Sequence, residues 1–359
     1  MINIKLNPLW SKTVLAITFG FLLILSSYIL IDPVGSAENL LNIYNFFAVN
    51  FELFYLYFGF SVLIILIYIA FSSTGSKKIL LKGRKNYSYF SWCAMLFATG
   101  MGAALLYWST YEWLVYYTNP LTGEDKSLLK ARAYPMFHWM FTGWSLYILP
   151  TVAFVLSLMR NSNTPLTFSG ILLEKQSGPL RIILDIFFIG AILTGAGVGL
   201  ALSFPLMSAS ISKLLNLSQS LFLDFIMLIL CMFIVCISVY KGLQKGIKRL
   251  SNLNIVLVII FLSLILITGP TKYIILNTIE PVYYVIKNYL PLSLVKSEYS
   301  LDWTVFYWAW YIALAPAVGA FIVNISNNKT VRELIFGALI IGSLGCIFHI
   351  GVLSNISIY

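Results

Sequence analysis

The chain has 359 residues, 60% of them hydrophobic and only 10% charged, with a mean hydropathy of +0.89 and a formal net charge of +10. A water-soluble protein of this size carries about a quarter charged residues, so a soluble globular domain is excluded. The apolar runs are continuous rather than alternating, which excludes a β-barrel. The basic residues lie in short loops between those runs, which is the footprint of membrane topology and not of nucleic-acid binding.

Apolar runs of spanning length fall at 13–31, 51–71, 89–118, 134–159, 181–211, 221–240, 251–269, 302–325 and 333–353. The expected class is an all-α polytopic membrane protein with about nine transmembrane helices. The first run is too long for a signal-peptide core and no small-residue cleavage site follows it, so it reads as an uncleaved span. Between the seventh and eighth runs, Thr271–Leu290 mixes Lys272, Glu280, Pro281 and Lys287 with apolar residues, as an amphipathic helix at the interface does. With the N-terminus inside, one side of the membrane collects sixteen Lys and Arg and the other seven. That bias predicts a cytoplasmic N-terminus in a plasma membrane of the bacterial inner-membrane type, and an odd span count then leaves the C-terminus outside. Cys93, Cys231, Cys236 and Cys346 all fall inside apolar runs, without metal-site spacing or a disulfide framework.

The third run holds Gly100-Met101-Gly102-Ala103-Ala104. Small residues allow either tight helix packing or local unwinding that exposes carbonyls to a ligand. The fourth supplies Trp139, Trp144 and Tyr147; Trp144 and Tyr147, three apart, share a face. The eighth places Trp303, Phe306, Tyr307, Trp308, Trp310 and Tyr311 within nine residues, ahead of Pro316 and Gly319. An aromatic belt at the headgroups accounts for rings at span ends. It does not account for Trp144, Tyr147, Trp310 and Tyr311, which lie deeper. Two aromatic clusters on separate spans suit an onium cation, which has no hydrogen to donate and is held by ring faces.

Carboxylates in spans are costly and either functional or paired. Glu112 reads as a proton or ion site, or as a structural partner for a backbone group or a Trp N–H; Asp185 lies at the start of the fifth run. His138 and His349 stand beside no nucleophile or metal-ligand motif, so the residues predict no enzyme and no cofactor.

At these residues the chain resembles the betaine/choline/carnitine transporter family. Residues Trp303-Thr304-Val305-Phe306-Tyr307-Trp308-Ala309-Trp310 are similar to that family's W-T-x-x-[FY]-W-x-W-W signature, with Tyr311 in place of the final Trp. Gly100–Ala104 resembles its G-M-G-x-G segment, with Ala104 replacing the last Gly. His138, Trp139, Trp144 and Tyr147 match its HW-x(4)-W-x-x-Y segment, and Lys241–Asn254 and Thr330–Leu334 also look like family segments.

The resemblance implies a leucine-transporter-like fold of two leading helices (1–88) and two inverted five-helix repeats. Here the first repeat is 89–270, the amphipathic helix 271–301, and 302–359 the start of an incomplete second repeat. It implies a secondary transporter, working by symport or antiport, of a quaternary-ammonium or related onium solute of the glycine betaine, choline or carnitine type. The implied substrate residues are Trp139, Trp144, Tyr147, Trp310 and Tyr311 in a Trp/Tyr box near the bilayer midplane, with Gly100, Met101, Gly102 and Ala103 in an unwound segment. Leu314 stands where members often carry another aromatic residue. The carbonyls of Ala98 and Met101 match half of a sodium site, but Ile192 and Ala196 lack the hydroxyls of sodium-driven members, which leaves sodium or proton as the coupling ion. A homotrimer in the lipid bilayer is the implied assembly. Because the chain stops soon after the ninth run, the alternative is a truncated, non-transporting remnant or one subunit of a split transporter.

Overall fold

The structure is a computed structural model that describes residues 8–81, 83–100, 103–173 and 178–359. Among these it is all helix apart from connections and one isolated bridge between Lys78 and Thr330. The helices are α1 (Pro8–Ile31), α2 (Pro33–Phe71), α3 (Tyr89–Gly100), α4 (Ala103–Thr118), α5 (Leu128–Trp139), α6 (Phe141–Arg160) and α7 (Phe168–Leu172). They continue as α8 (Pro179–Leu215), α9 (Leu221–Tyr240), α10 (Lys248–Thr268), α11 (Thr271–Lys287), α12 (Tyr289–Leu294), α13 (Val305–Ile325) and α14 (Val331–Ile358). Among the described residues eight helical stretches are long and apolar enough to cross a membrane, or nine if the bent pair α3–α4 is one span. The protein is therefore an all-α polytopic membrane protein. Large apolar side chains such as Phe21, Leu23, Phe187, Phe222 and Phe233 point outward, as lipid-facing residues do.

Three spans differ from the sequence expectation. The second begins at Pro33 rather than 51, giving a 39-residue helix about 58 Å long. Asp32 caps it by accepting the Gly35 N–H at 2.9 Å, and Pro33 occupies the first helical position, where a missing N–H costs nothing. The apolar window marks only its second half, because Glu38, Asn39, Asn42 and Asn45 lower hydropathy without breaking a helix. The third span is two helices inclined at 57°. The fourth is not one helix: α5 ends at Trp139 and α6 begins at Phe141, with Met140 between them at φ −98°, ψ −138°. Amphipathic α11, expected at the interface, buries Ile274, Pro281 and Val285 and packs along α5, while Ile275, Leu276, Ile279 and Tyr283 are exposed.

The chain forms two compact units. One comprises the chain up to Asn86, Ser145–Gly195 and Leu290–Ile335. In it α2 packs against α1 and α13. Arg332 Nε donates to the Ala70 carbonyl at 2.7 Å, satisfying the C-terminal end of α2 with a cation where the helix dipole is negative. Thr330 and Glu333 form a reciprocal cap at the start of α14: the Thr330 N–H donates to Glu333 Oε2 at 2.6 Å and the Glu333 N–H to Thr330 Oγ1 at 3.1 Å. The Thr330–Leu334 segment thus caps one helix and latches another.

Glu52, buried in α2, is tied to the approach to α13. Its Oε2 lies 3.0 Å from Lys296 Nζ, and its Oε1 accepts the Ser300 hydroxyl. Lys296 is half exposed and Glu52 is not, so removing the lysine strands a carboxylate, whereas neutralising the carboxylate strands nothing buried. Lys296→Met is expected to destabilise the protein by about 1–3 kcal/mol, discounted for the solvent reaching Lys296, and Glu52→Gln by less. Thermal melting in detergent tests this ranking; a double variant less stable than Lys296→Met would contradict it.

The other unit comprises Tyr87–Trp144, Ala196–Tyr289 and Phe336–Tyr359. Here α10 packs on α3, α5 on α4, and α11 on both α5 and α10. Leu262, Ile274, Val352 and Leu353 form one core cluster, with Phe348 against it. Between α9 and α10 the chain turns a tight corner at Gly242, whose φ of +73° suits only glycine, followed by a π-helical turn at Leu243–Ile247. Beyond it, Lys248 lies over the Tyr87 ring at 5.9 Å and Asn252 Nδ2 donates to Ser91 Oγ at 3.0 Å. The Lys241–Asn254 segment therefore holds α10 to the start of α3.

Candidate functional site

The aromatic residues expected from the sequence are built on α5, α6 and α13. In the first unit, Tyr147 of α6 and Tyr311 of α13 meet edge to face, ring centroids 5.0 Å apart at 76°, both rings buried. This is a favourable arrangement of two ring quadrupoles. Tyr311 also lies against Tyr307 at 6.4 Å and Trp308 at 6.2 Å. Trp310 takes a different direction. Consecutive helical residues are rotated by about 100°, and Trp310 sits edge-on to Phe306 at 5.5 Å, half-buried. Leu314 fills the space above Gly195 of α8, where any Cβ would overlap the leucine side chain.

In the second unit, Trp144 in the first turn of α6 is 1% exposed. Its indole stacks on Phe97 of α3 at 6.2 Å and 20°, and Phe97 stacks in turn on His349 of α14 at 5.5 Å and 30°. The bare backbone of Gly342 lies against the same indole. Trp139, the last residue of α5, is also buried and donates its indole N–H to Glu112 Oε2 at 3.1 Å. Glu112 Oε1 accepts from the Tyr116 hydroxyl at 3.4 Å, and His138 Nδ1 lies 3.2 Å from that hydroxyl and 3.7 Å from Oε1. Of the two readings of Glu112, the bond to a Trp N–H is present.

Gly100 closes α3, with Ala98 in the same last turn. Met101 and Gly102 lie outside the described residues, and Ala103 is described only as the first residue of α4. Asp185 pairs with Arg181 one turn earlier at 3.6 Å. Among the described residues no three His, Cys, Asp or Glu side chains converge as for a metal ion.

Sequence reading passed over Tyr116, Phe97 and Glu52. Glu112 and Tyr116 stand four apart, the spacing that puts two side chains on one helix face. Glu52 stands in an otherwise apolar run, which is itself a signal. Phe97 carried none, since a Phe in an apolar helix is unremarkable until its neighbours are known.

Residues 13–359 match the model of the betaine/carnitine/choline family of transporters. The chain is 30% identical over 317 residues to the carnitine transporter of Acinetobacter baumannii, covering 85% of this chain and 58% of that protein. It is 32% identical over 355 residues to a glycine betaine/proline/choline/ectoine transporter of Vibrio parahaemolyticus, covering 93% and 62%. It is 29% identical over 324 residues to the high-affinity choline transport protein of Escherichia coli K12, covering 86% and 48%. The chain thus spans between about half and two thirds of the length of the curated relatives it matches.

Proposed function

Because the chain belongs to the betaine/carnitine/choline family of transporters, we propose that it serves the secondary transport of a quaternary-ammonium or related onium solute across a bacterial plasma membrane, with its N-terminus in the cytoplasm. The observation that carries this reading is the meeting of Tyr147 and Tyr311. Each comes from one of the two spans in which aromatic residues concentrate, and aromatic rings suit a cation that offers no hydrogen bond. Trp139, Trp144, Trp310 and Gly100–Ala103 are the further substrate residues in this reading. Residues 89–270 form the first repeat, 302–359 begin the second, 271–301 link them, and the assembly is a homotrimer. Carnitine, glycine betaine and choline, in the names of the relatives, share a trimethylammonium group, which supports an onium solute; one name also includes proline and ectoine, which lack it.

Choline and its uncharged isostere 3,3-dimethyl-1-butanol separate ring–cation attraction from apolar fit. Each ring face contributes about 0.5–2 kcal/mol to a desolvated cation, so choline is expected to bind at least about tenfold more tightly than the isostere. Equilibrium binding to the purified protein checks this; equal affinities would remove the aromatic box as the recognition element.

A further inference from the structure

Glu112, His138, Tyr116 and Trp139 form a polar cluster inside the second unit. All four are buried: His138 is 0% and Glu112 1% exposed. A carboxylate and an imidazole placed this deep in a spanning segment are costly unless paired. Here the pairing runs through one hydroxyl. With a hydrogen on Nδ1, His138 donates to the Tyr116 oxygen, and Tyr116 donates to Glu112 Oε1. The other carboxylate oxygen takes the Trp139 N–H. With Glu112 ionised and His138 neutral, the cluster holds one net negative charge, in contact with an indole through the edge of its ring.

Arg132 and Lys130, cations of α5, have partners of their own. Arg132 of α5 donates to the Tyr273 hydroxyl of α11 at 2.6 Å, and Glu280 of α11 acts on the same arginine. Lys130 pairs with Glu124 at 2.6 Å. From α14, His349 bonds the Gly345 carbonyl at 2.8 Å and stacks on Phe97. Tyr134 of α5 stacks on Tyr116 at 5.3 Å, and α11 further carries Lys272, Tyr283, Tyr284 and Lys287. Glu112 Oε1 lies 3.7 Å from His138 Nδ1 and is a charge that faces the imidazole.

We propose that Glu112, with His138 and Tyr116, is a buried proton site that lends its negative charge to the onium solute through Trp139, so that proton and solute bind in competition. The inference rests on the reading of Trp139 as a solute-facing ring. A carboxylate accepting the indole N–H leaves the ring face more electron-rich, and both the ring and the net charge then attract a cation. A proton taken up by the pair forms imidazolium beside carboxylate, brings the net charge to zero and removes that attraction. By linkage, the solute must expel the proton to the same extent that the proton weakens the solute.

The test uses choline, which carries no carboxylate of its own to titrate. Choline affinity of the purified chain is expected to fall about tenfold across the pH range, scanned from about 8 to about 4, in which the cluster takes up its proton. Proton release on choline binding, read with an indicator dye in weak buffer, is expected within that range. Glu112→Gln keeps the size and an acceptor for Trp139; it is expected to bind choline about tenfold more weakly, without pH dependence or proton release. His138→Gln, with Glu112 intact, is expected to move the pH dependence to more acid values. Binding that is saturable but insensitive to pH overturns this inference alone, as does a Glu112→Gln variant that keeps the parental pH slope. No saturable choline binding at any pH overturns both this inference and the transport reading beneath it.

Discussion

Replacing Trp144 by leucine is expected to abolish saturable binding of glycine betaine, choline and carnitine. Trp144 is 1% exposed and sits at the head of a stack that continues through Phe97 to His349. Leucine removes a ring face worth about 0.5–2 kcal/mol to a cation. It also opens a cavity beside Phe97; full truncation of a buried Trp costs about 3–5 kcal/mol, and leucine recovers part of that. Binding loss could thus follow from a collapsed stack, and Trp144→Phe separates the two causes. Phenylalanine keeps a ring on Phe97 and is expected to retain binding, weakened about tenfold, with a smaller drop in melting temperature. Wild-type affinity in Trp144→Leu would remove this residue from the site.

Gly342→Ala is expected to destabilise the protein by overpacking Trp144. A Cβ at this position overlaps the five-membered ring of Trp144, with the bridge carbons and Nε1 as its nearest atoms. The indole is held from another side by Phe97, so it cannot slide away without breaking the stack. Overpacking of this kind costs about 1–3 kcal/mol. Because the clash is with the indole, combining Gly342→Ala with Trp144→Phe should cost less than the two changes summed, by about 1 kcal/mol or more. Thermal melting of the four proteins in one detergent gives the coupling. Additive effects would mean that Gly342 is small for another reason.

Both predictions concern a residue that the sequence singled out, yet neither could be written from the sequence. The fourth-span motif places Trp144 and Tyr147 on one helical face. Their neighbours nonetheless differ: Trp144 packs with Phe97 and Gly342, and Tyr147 with Tyr311. Periodicity says which way a side chain points from its own axis and nothing about what another helix brings to meet it. Trp310 and Tyr311 make the same point in reverse. Adjacent in sequence and expected together in one box, they engage different partners, Phe306 and Tyr147. Glu112 was legible as half of a pair, because an intramembrane carboxylate demands a partner. That the partner is Trp139, with His138 and Tyr116 on the other oxygen, depends on how α4 and α5 face each other.

The sequence by itself determined the class of the protein and the positions of its spans. Bilayer thickness and the cost of an unpaired backbone group in hydrocarbon leave few choices to continuous apolar runs of this length. It also marked the two spans in which aromatic residues concentrate. The tertiary structure decided where helices start and break inside those runs, at Pro33 and Met140, because capping and local dihedrals are invisible to hydropathy. It decided as well that Glu52 is held by Lys296 and Ser300, that Glu112 is held by Trp139 and Tyr116, and which rings touch. Those pairings join residues up to 248 positions apart, and no local periodicity carries information over that distance.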